Sequence, residues 1–119
     1  MVFEIENYVA LRCAVEELCK FLSSENVPSE RVFDSRLVAY ELLGNVLKHS
    51  GGSARLQGEL VNGYVELKIA SEIPFIPPDK SSCADVYAEH GRGIYLVDRI
   101  CEERTLTEDG GIFVRIRIN

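Results

Sequence analysis

No stretch of the chain is apolar for long enough to cross a bilayer, which takes about 20 consecutive residues in a helix. The opening Met1-Val2-Phe3-Glu4-Ile5-Glu6 lacks the basic and then apolar order of a secretory signal. These two absences predict a cytoplasmic protein without a membrane partner. Positive charge is scarce: 13 Lys and Arg stand against 19 Asp and Glu, for a formal charge of −6. A general nucleic-acid binder needs a basic surface to release counterions, so that class is excluded. There is no CxxC pair, since Cys13, Cys19, Cys83 and Cys101 are scattered. Cys13 and Cys19 fall on different sides of a helix, so reduced structural thiols are expected rather than a zinc site. Internal repeats and low-complexity segments are also missing. What remains is ordinary for a soluble globular protein: 119 residues, 46% hydrophobic and 27% charged. One domain spanning 1–119 with a single core is expected.

Phe3 and Ile5 alternate with Glu4 and Glu6, which predicts a short strand with one buried face. Asn7 is a candidate cap for a helix over residues 8–24, with Leu11, Val15, Leu18 and Leu22 at helical spacing. Glu25-Asn26-Val27-Pro28-Ser29 breaks it, and Ser29 is a candidate cap for a second helix running to about His49. Ser50-Gly51-Gly52 should end that helix, because glycine takes the left-handed conformation without a steric cost. Residues 53–61 alternate, with Ala54, Leu56, Gly58 and Leu60 on one side and Arg55, Gln57 and Glu59 on the other. Asn62-Gly63 predicts a hairpin into a strand over 64–70, with Val65, Leu67 and Ile69 facing inward. Residues 72–90 have no periodicity and contain Pro74, Pro77 and Pro78, a length that fits either a lid over a site or a plain surface loop. A short helix over 93–101 should bury Ile94, Val97 and Cys101. A last hairpin pairs 104–107 with 112–118, burying Ile112, Val114, Ile116 and Ile118 and leaving Arg115 and Arg117 outside. The order predicts an α+β protein: a two-layer α/β sandwich with a mixed, mostly antiparallel sheet and its helices on one face.

The second helix carries the first chemical pattern. Glu41, Asn45 and His49 recur at i, i+4 and i+8 and share one face, beside an apolar stripe of Ala39, Leu43, Val46 and Leu47. A carboxylate can act as a general base, and a carboxamide offers a neutral oxygen to a hard cation such as Mg2+. Gly91-Arg92-Gly93 before a helix is the second pattern: glycines admit a ligand close to the backbone, and free N–H groups favour an anion. Each alone is common, as a solvated helix face or a plain loop-to-helix turn.

Together, in this order and over nearly the whole chain, they resemble the GHKL ATPase superfamily. Within it the strongest likeness is to bacterial anti-sigma-factor serine kinases. Glu41, Asn45 and His49 match the family's N box, and the run Gly91-Arg92-Gly93-Ile94-Tyr95-Leu96-Val97 matches its G2 box. Phe75-Ile76-Pro77 is similar to the Phe-Asp-Pro that follows the G1 box, with Ile76 in place of Asp. The resemblance implies the Bergerat ATPase fold and binding of ATP with Mg2+. It implies that Glu41 is the catalytic base for an attacking hydroxyl and that Asn45 holds the metal. Gly91, Arg92 and Gly93 would cradle phosphate, with His49 in support. The family's adenine-reading Asp at the end of the strand over 64–70 is replaced by Ala70 or Ser71, and no glycine follows. Ser71 offers the base a neutral acceptor, about tenfold weaker than a carboxylate.

The implied function is an anti-sigma-factor-like regulator that phosphorylates a serine of an antagonist protein. Its partners would be a sigma factor and an anti-anti-sigma protein of STAS type, with pairing as a homodimer through the outer sheet face or the first helix. The alternative is a non-catalytic protein-binding module on the same fold, with nucleotide binding weakened by the missing Asp. A detached histidine-kinase catalytic domain is a third reading, although the chain has no helical hairpin bearing a phospho-acceptor histidine.

Overall fold

The chain runs β1 (Val2–Ile5), α1 (Tyr8–Ser24), α2 (Ser29–Ser50), β2 (Ala54–Val61) and β3 (Tyr64–Ser71) in a computed structural model. A helical stretch over 95–100 follows, then β4 (Glu103–Leu106) and β5 (Ile112–Arg117). The structure describes residues 1–50, 53–71, 95–108 and 110–118, without the side chains of His49 and Ser50. The expected Gly51-Gly52 stop, the loop over 72–90, Cys83 and Ile94 lie outside the described residues.

Five strands form one sheet in the order β1-β2-β3-β5-β4, and all four pairings are antiparallel. The central turn is the predicted one. Asn62 and Gly63 take φ of 49° and 85°, and two successive positive φ values make the tight turn whose twist matches its strands. Val61 therefore pairs with Tyr64, and this register sets which side chains face the helices. Leu56, Ile69 and Ile112 form one inward row, and Leu67 and Val114 belong to the next. All are at most 1% exposed, and each large side chain so buried contributes about 1.5–3 kcal/mol.

Both helices cover this inner face. Leu11, Ala14, Val15, Leu18 and Leu22 form the buried stripe of α1, and Val38, Ala39, Leu42, Leu43 and Val46 that of α2. Asn7 caps α1 as expected, its Oδ1 accepting from Ala10 N at 2.8 Å. The break after α1 has a specific cause. Asn26 takes the left-handed conformation at φ 64°, Val27 N donates to Leu22 O at 3.0 Å, and Asn26 N donates to Ser23 O at 3.1 Å. This is a Schellman cap with Asn in the usual glycine position, and Val27 tucks into the core behind it. The cap of α2 differs from the expectation. Pro28 O accepts from Val32 N at 3.0 Å, so Pro28 occupies the cap and Ser29 is the first helical residue. Proline's fixed φ and missing donor are no handicap there, because its carbonyl is all the helix needs.

Candidate functional site

The C-terminal half of α2 keeps its apolar stripe on the sheet and turns its polar row to one edge. Ala39, Leu43 and Val46 are buried as expected, Leu47 is half-buried, and Leu42 joins the core. Asn45, three residues after Leu42 and next to Val46, lies at the margin of this stripe and is only 8% exposed. Glu41, one turn earlier, is half-buried. About 40° of helix arc separates the two, so they share an edge.

Among the described residues the carboxamide of Asn45 has no protein partner, although most of the side chain is buried. Buried polar side chains almost always find a partner, because leaving one unpaired costs about 1–3 kcal/mol. Among the described residues none hydrogen-bonds or ion-pairs with the side chain of Asn45, Glu41 or Lys48. Nor are the polar atoms of Asn45 sealed in: the one fully enclosed, unbonded side-chain N or O among the described residues is Arg115 Nε. Asn45 is thus covered along its stem and open at its tip. A carboxamide oxygen there is a hard donor of the type Mg2+ takes, and Mg2+ completes its shell with waters and substrate phosphates rather than with a protein cage. Among the described residues no group of three or more His, Cys, Asp and Glu side chains is placed to hold a metal ion. A site of one carboxamide plus ligand oxygens does not need such a group.

Ser71 ends β3, half-buried and in register with Ala54, while Ala70 pairs with Arg55. Ser71, the neutral acceptor expected from the sequence, and Ala70 thus stand at the end of β3. Gly91, Arg92 and Gly93 and the side chain of His49 lie outside the described residues. The helix that follows is described from residue 95. Its anchor is Val97, fully buried, with Cys101 9% exposed just beyond its end. Burial, and then the negative charges of Asp98 and Asp34, push the Cys101 thiol up to about 12, so it stays protonated and inert. Arg104 clasps Asp98 with both ends of its fork, at 2.6 and 3.1 Å, and ties β4 back to this helix.

Two residues of this edge escape a motif-based reading. Lys48 is exposed, about one turn past Asn45, and Gly44 lies further round toward the outward side, about 60° from Glu41 and 100° from Asn45. The available signal was a glycine inside a long helical pattern, which calls for a packing or functional reason. No family profile matches the chain, and no curated protein matches it either.

Proposed function

We propose that the chain is a regulatory nucleotide-binding domain of the GHKL type, with the Bergerat arrangement of its α+β sandwich. It binds ATP with Mg2+, phosphorylates a serine of an antagonist protein, and alternatively holds a sigma factor. One observation carries this reading: a carboxamide nine-tenths buried, open at its tip, one helical turn from a carboxylate on the same edge of α2. Bound Mg2+ would offset the charge of the phosphates. Asn45 holds it through its side-chain oxygen. Glu41 takes the proton from the serine hydroxyl as that oxygen bonds to the terminal phosphorus and the bond to the departing ADP breaks, and Gly91, Arg92 and Gly93 would cradle phosphate. The working protein pairs with a second copy through the outer sheet face or α1.

The test is a melting curve with and without Mg·ATP. Ligand at a hundred times its dissociation constant stabilises by about 2.7 kcal/mol, which raises Tm by several degrees. No shift at millimolar nucleotide removes the kinase reading. Glu41→Gln should keep that shift and abolish phosphotransfer.

A second reading is favoured by one residue. With Ser71 or Ala70 where the family reads adenine, the scaffold serves as a protein-binding module without catalysis. Partner binding that survives both Glu41→Gln and the absence of nucleotide selects this module.

A further inference from the structure

Helix α2 is apolar on two opposite sides, and only one of them meets the sheet. Val38, Ala39, Leu42, Leu43 and Val46 fill the inward arc. Phe33, Leu37, Tyr40 and Gly44 recur at i, i+4, i+7 and i+11, and at about 100° per residue they share an arc of about 60° on the outward side. Phe33 is 59% exposed. Leu37 is half-buried, yet among the described residues it is not packed on the core. Tyr40 is half-buried as well, with the Arg36 guanidinium 5.9 Å from its ring centre. Gly44 ends the row as a gap: among the described residues, a Cβ built there meets no heavy atom within 4 Å. This glycine weakens the helix, and neither packing nor a positive φ requires it.

The row is self-complementary. A two-fold axis passing between the levels of Val38 and Ala39 sets Phe33 opposite Gly44 of a second, antiparallel copy, and Leu37 opposite Tyr40. Glu30 and Lys48 are about five full turns apart, so they lie on one flank of the row. The same axis brings Glu30 within one residue of Lys48 of the other copy. The Glu30 side chain is 85% exposed, with Arg31 only at 3.5 Å, and Lys48 is exposed without a partner among the described residues. Bulk against gap and negative against positive thus follow from one axis, as an isologous contact requires.

We propose that the outward face of α2 is a docking surface for a second copy of this chain, packed antiparallel about that axis. The Phe33 ring of each copy enters the gap at Gly44 of the other, and Glu30 pairs with Lys48 along the rim. The contact uses a face other than the outer sheet face or α1, and it needs no nucleotide. One helix face is smaller than the roughly 800 Å2 per partner of a standard interface, so the dimer is weak and dissociates on dilution.

Sedimentation equilibrium of the ligand-free chain over a range of concentrations reads this contact. Phe33→Ala should weaken association by about tenfold or more by removing the bulk. Gly44→Leu should do the same by filling the gap. The two changes combined set leucine opposite alanine, and association should return to within about threefold of the wild type. Glu30→Lys and Lys48→Glu should each weaken it by about threefold, and together recover it. Melting curves check that each variant folds, and should Gly44→Leu fail, Phe33→Ala and the charge exchange decide.

A wild type that stays monomeric up to about 1 mM overturns the proposal. Association that ignores both Phe33→Ala and Gly44→Leu overturns it too, and leaves pairing to the outer sheet face or α1. Losses in the single variants without recovery in either combination remove the antiparallel register, and the proposal with it.

Discussion

Two polar surfaces of this protein are built on opposite terms. The sheet face turned away from the helices carries many charges, and its register answers them within the chain. Glu59, Glu66, Arg115 and Glu103 lie in one row across four strands. Two carboxylates directly opposite each other, Glu59 and Glu66, would repel. Arg115 relieves this: it stands 3.0 Å from Glu66 and 3.6 Å from Glu103, with its guanidinium 4.0 Å above the ring of Tyr64. Its buried Nε is close to Glu66 but not aligned for a hydrogen bond, so the contact is a charge pair. Gln57 donates to Glu59 at 3.1 Å, and Arg55 pairs with Glu4 at 2.6 Å. On the edge of α2 the same residue types have no such partners among the described residues. Polar groups that satisfy one another hold a shape, and polar groups left open beside a buried stem are waiting for something else.

The contrast breaks most severely if the sheet's inner face is not the structural half. Leu67 is fully buried in β3 between β2 and β5. Leu67→Ala should cost about 3 kcal/mol in urea unfolding, since the cavity sits where three strands and a helix meet. A cost under about 1 kcal/mol would mean that the site relaxes freely and the core is not close-packed. Asn45→Leu tests the other half. If the carboxamide is unpaired in the free protein, an apolar side chain of similar size should leave stability unchanged or raise it by about 1 kcal/mol. Mg·ATP binding should fall by about tenfold or more at the same time. A loss of stability would instead reveal Asn45 as part of the fold.

Arg115→Leu is expected to cost less than Leu67→Ala, about 1 kcal/mol, because Arg115 and its partners are partly open to solvent. Urea unfolding of both proteins in low and high salt should show the gap narrowing as ions take over the screening of Glu59, Glu66 and Glu103. A gap that does not change with salt would assign the loss to the contact with Tyr64 alone.

Much of this arrangement was legible in the residues, and the reason is periodicity. Alternation in 54–61, 64–71 and 112–117 has only one register that puts Leu56, Leu67 and Val114 inside, and Asn62-Gly63 fixes it. The polar row of Glu41 and Asn45 was legible for the same reason, as residues one turn apart. What periodicity does not encode is depth. Nothing in the spacing said that Asn45 would be more deeply buried than Glu41, because that follows from Leu42 and Val46 pressing α2 onto the sheet. The caps were half legible. Asn7 is a common helix opener, whereas Asn26 works by adopting φ of 64°, a state that glycine would have advertised and asparagine does not. The Gly91-Arg92-Gly93 pattern and the side chain of His49 lie outside the described residues, so that half of the candidate site rests on residue type alone.

The smallest predicted effect sharpens the comparison furthest. Among the described residues Arg55 and Glu4 make the shortest ion pair of the outer face, at 2.6 Å, yet both side chains are about 60% exposed, at 61% and 58%. A charge pair in that much water gains little Coulomb energy and loses the freedom of two long side chains. Arg55→Gln should therefore cost no more than about 0.5 kcal/mol, despite a geometry better than that of the Arg115 pairs. Thermal melts of Arg55→Gln and Arg115→Leu decide whether depth or distance sets the worth of a pair here. If Arg55→Gln proves the more damaging, distance wins. The link from β1 to β2 would then be electrostatic, and burial would lose its standing as the guide to which polar groups matter in this protein.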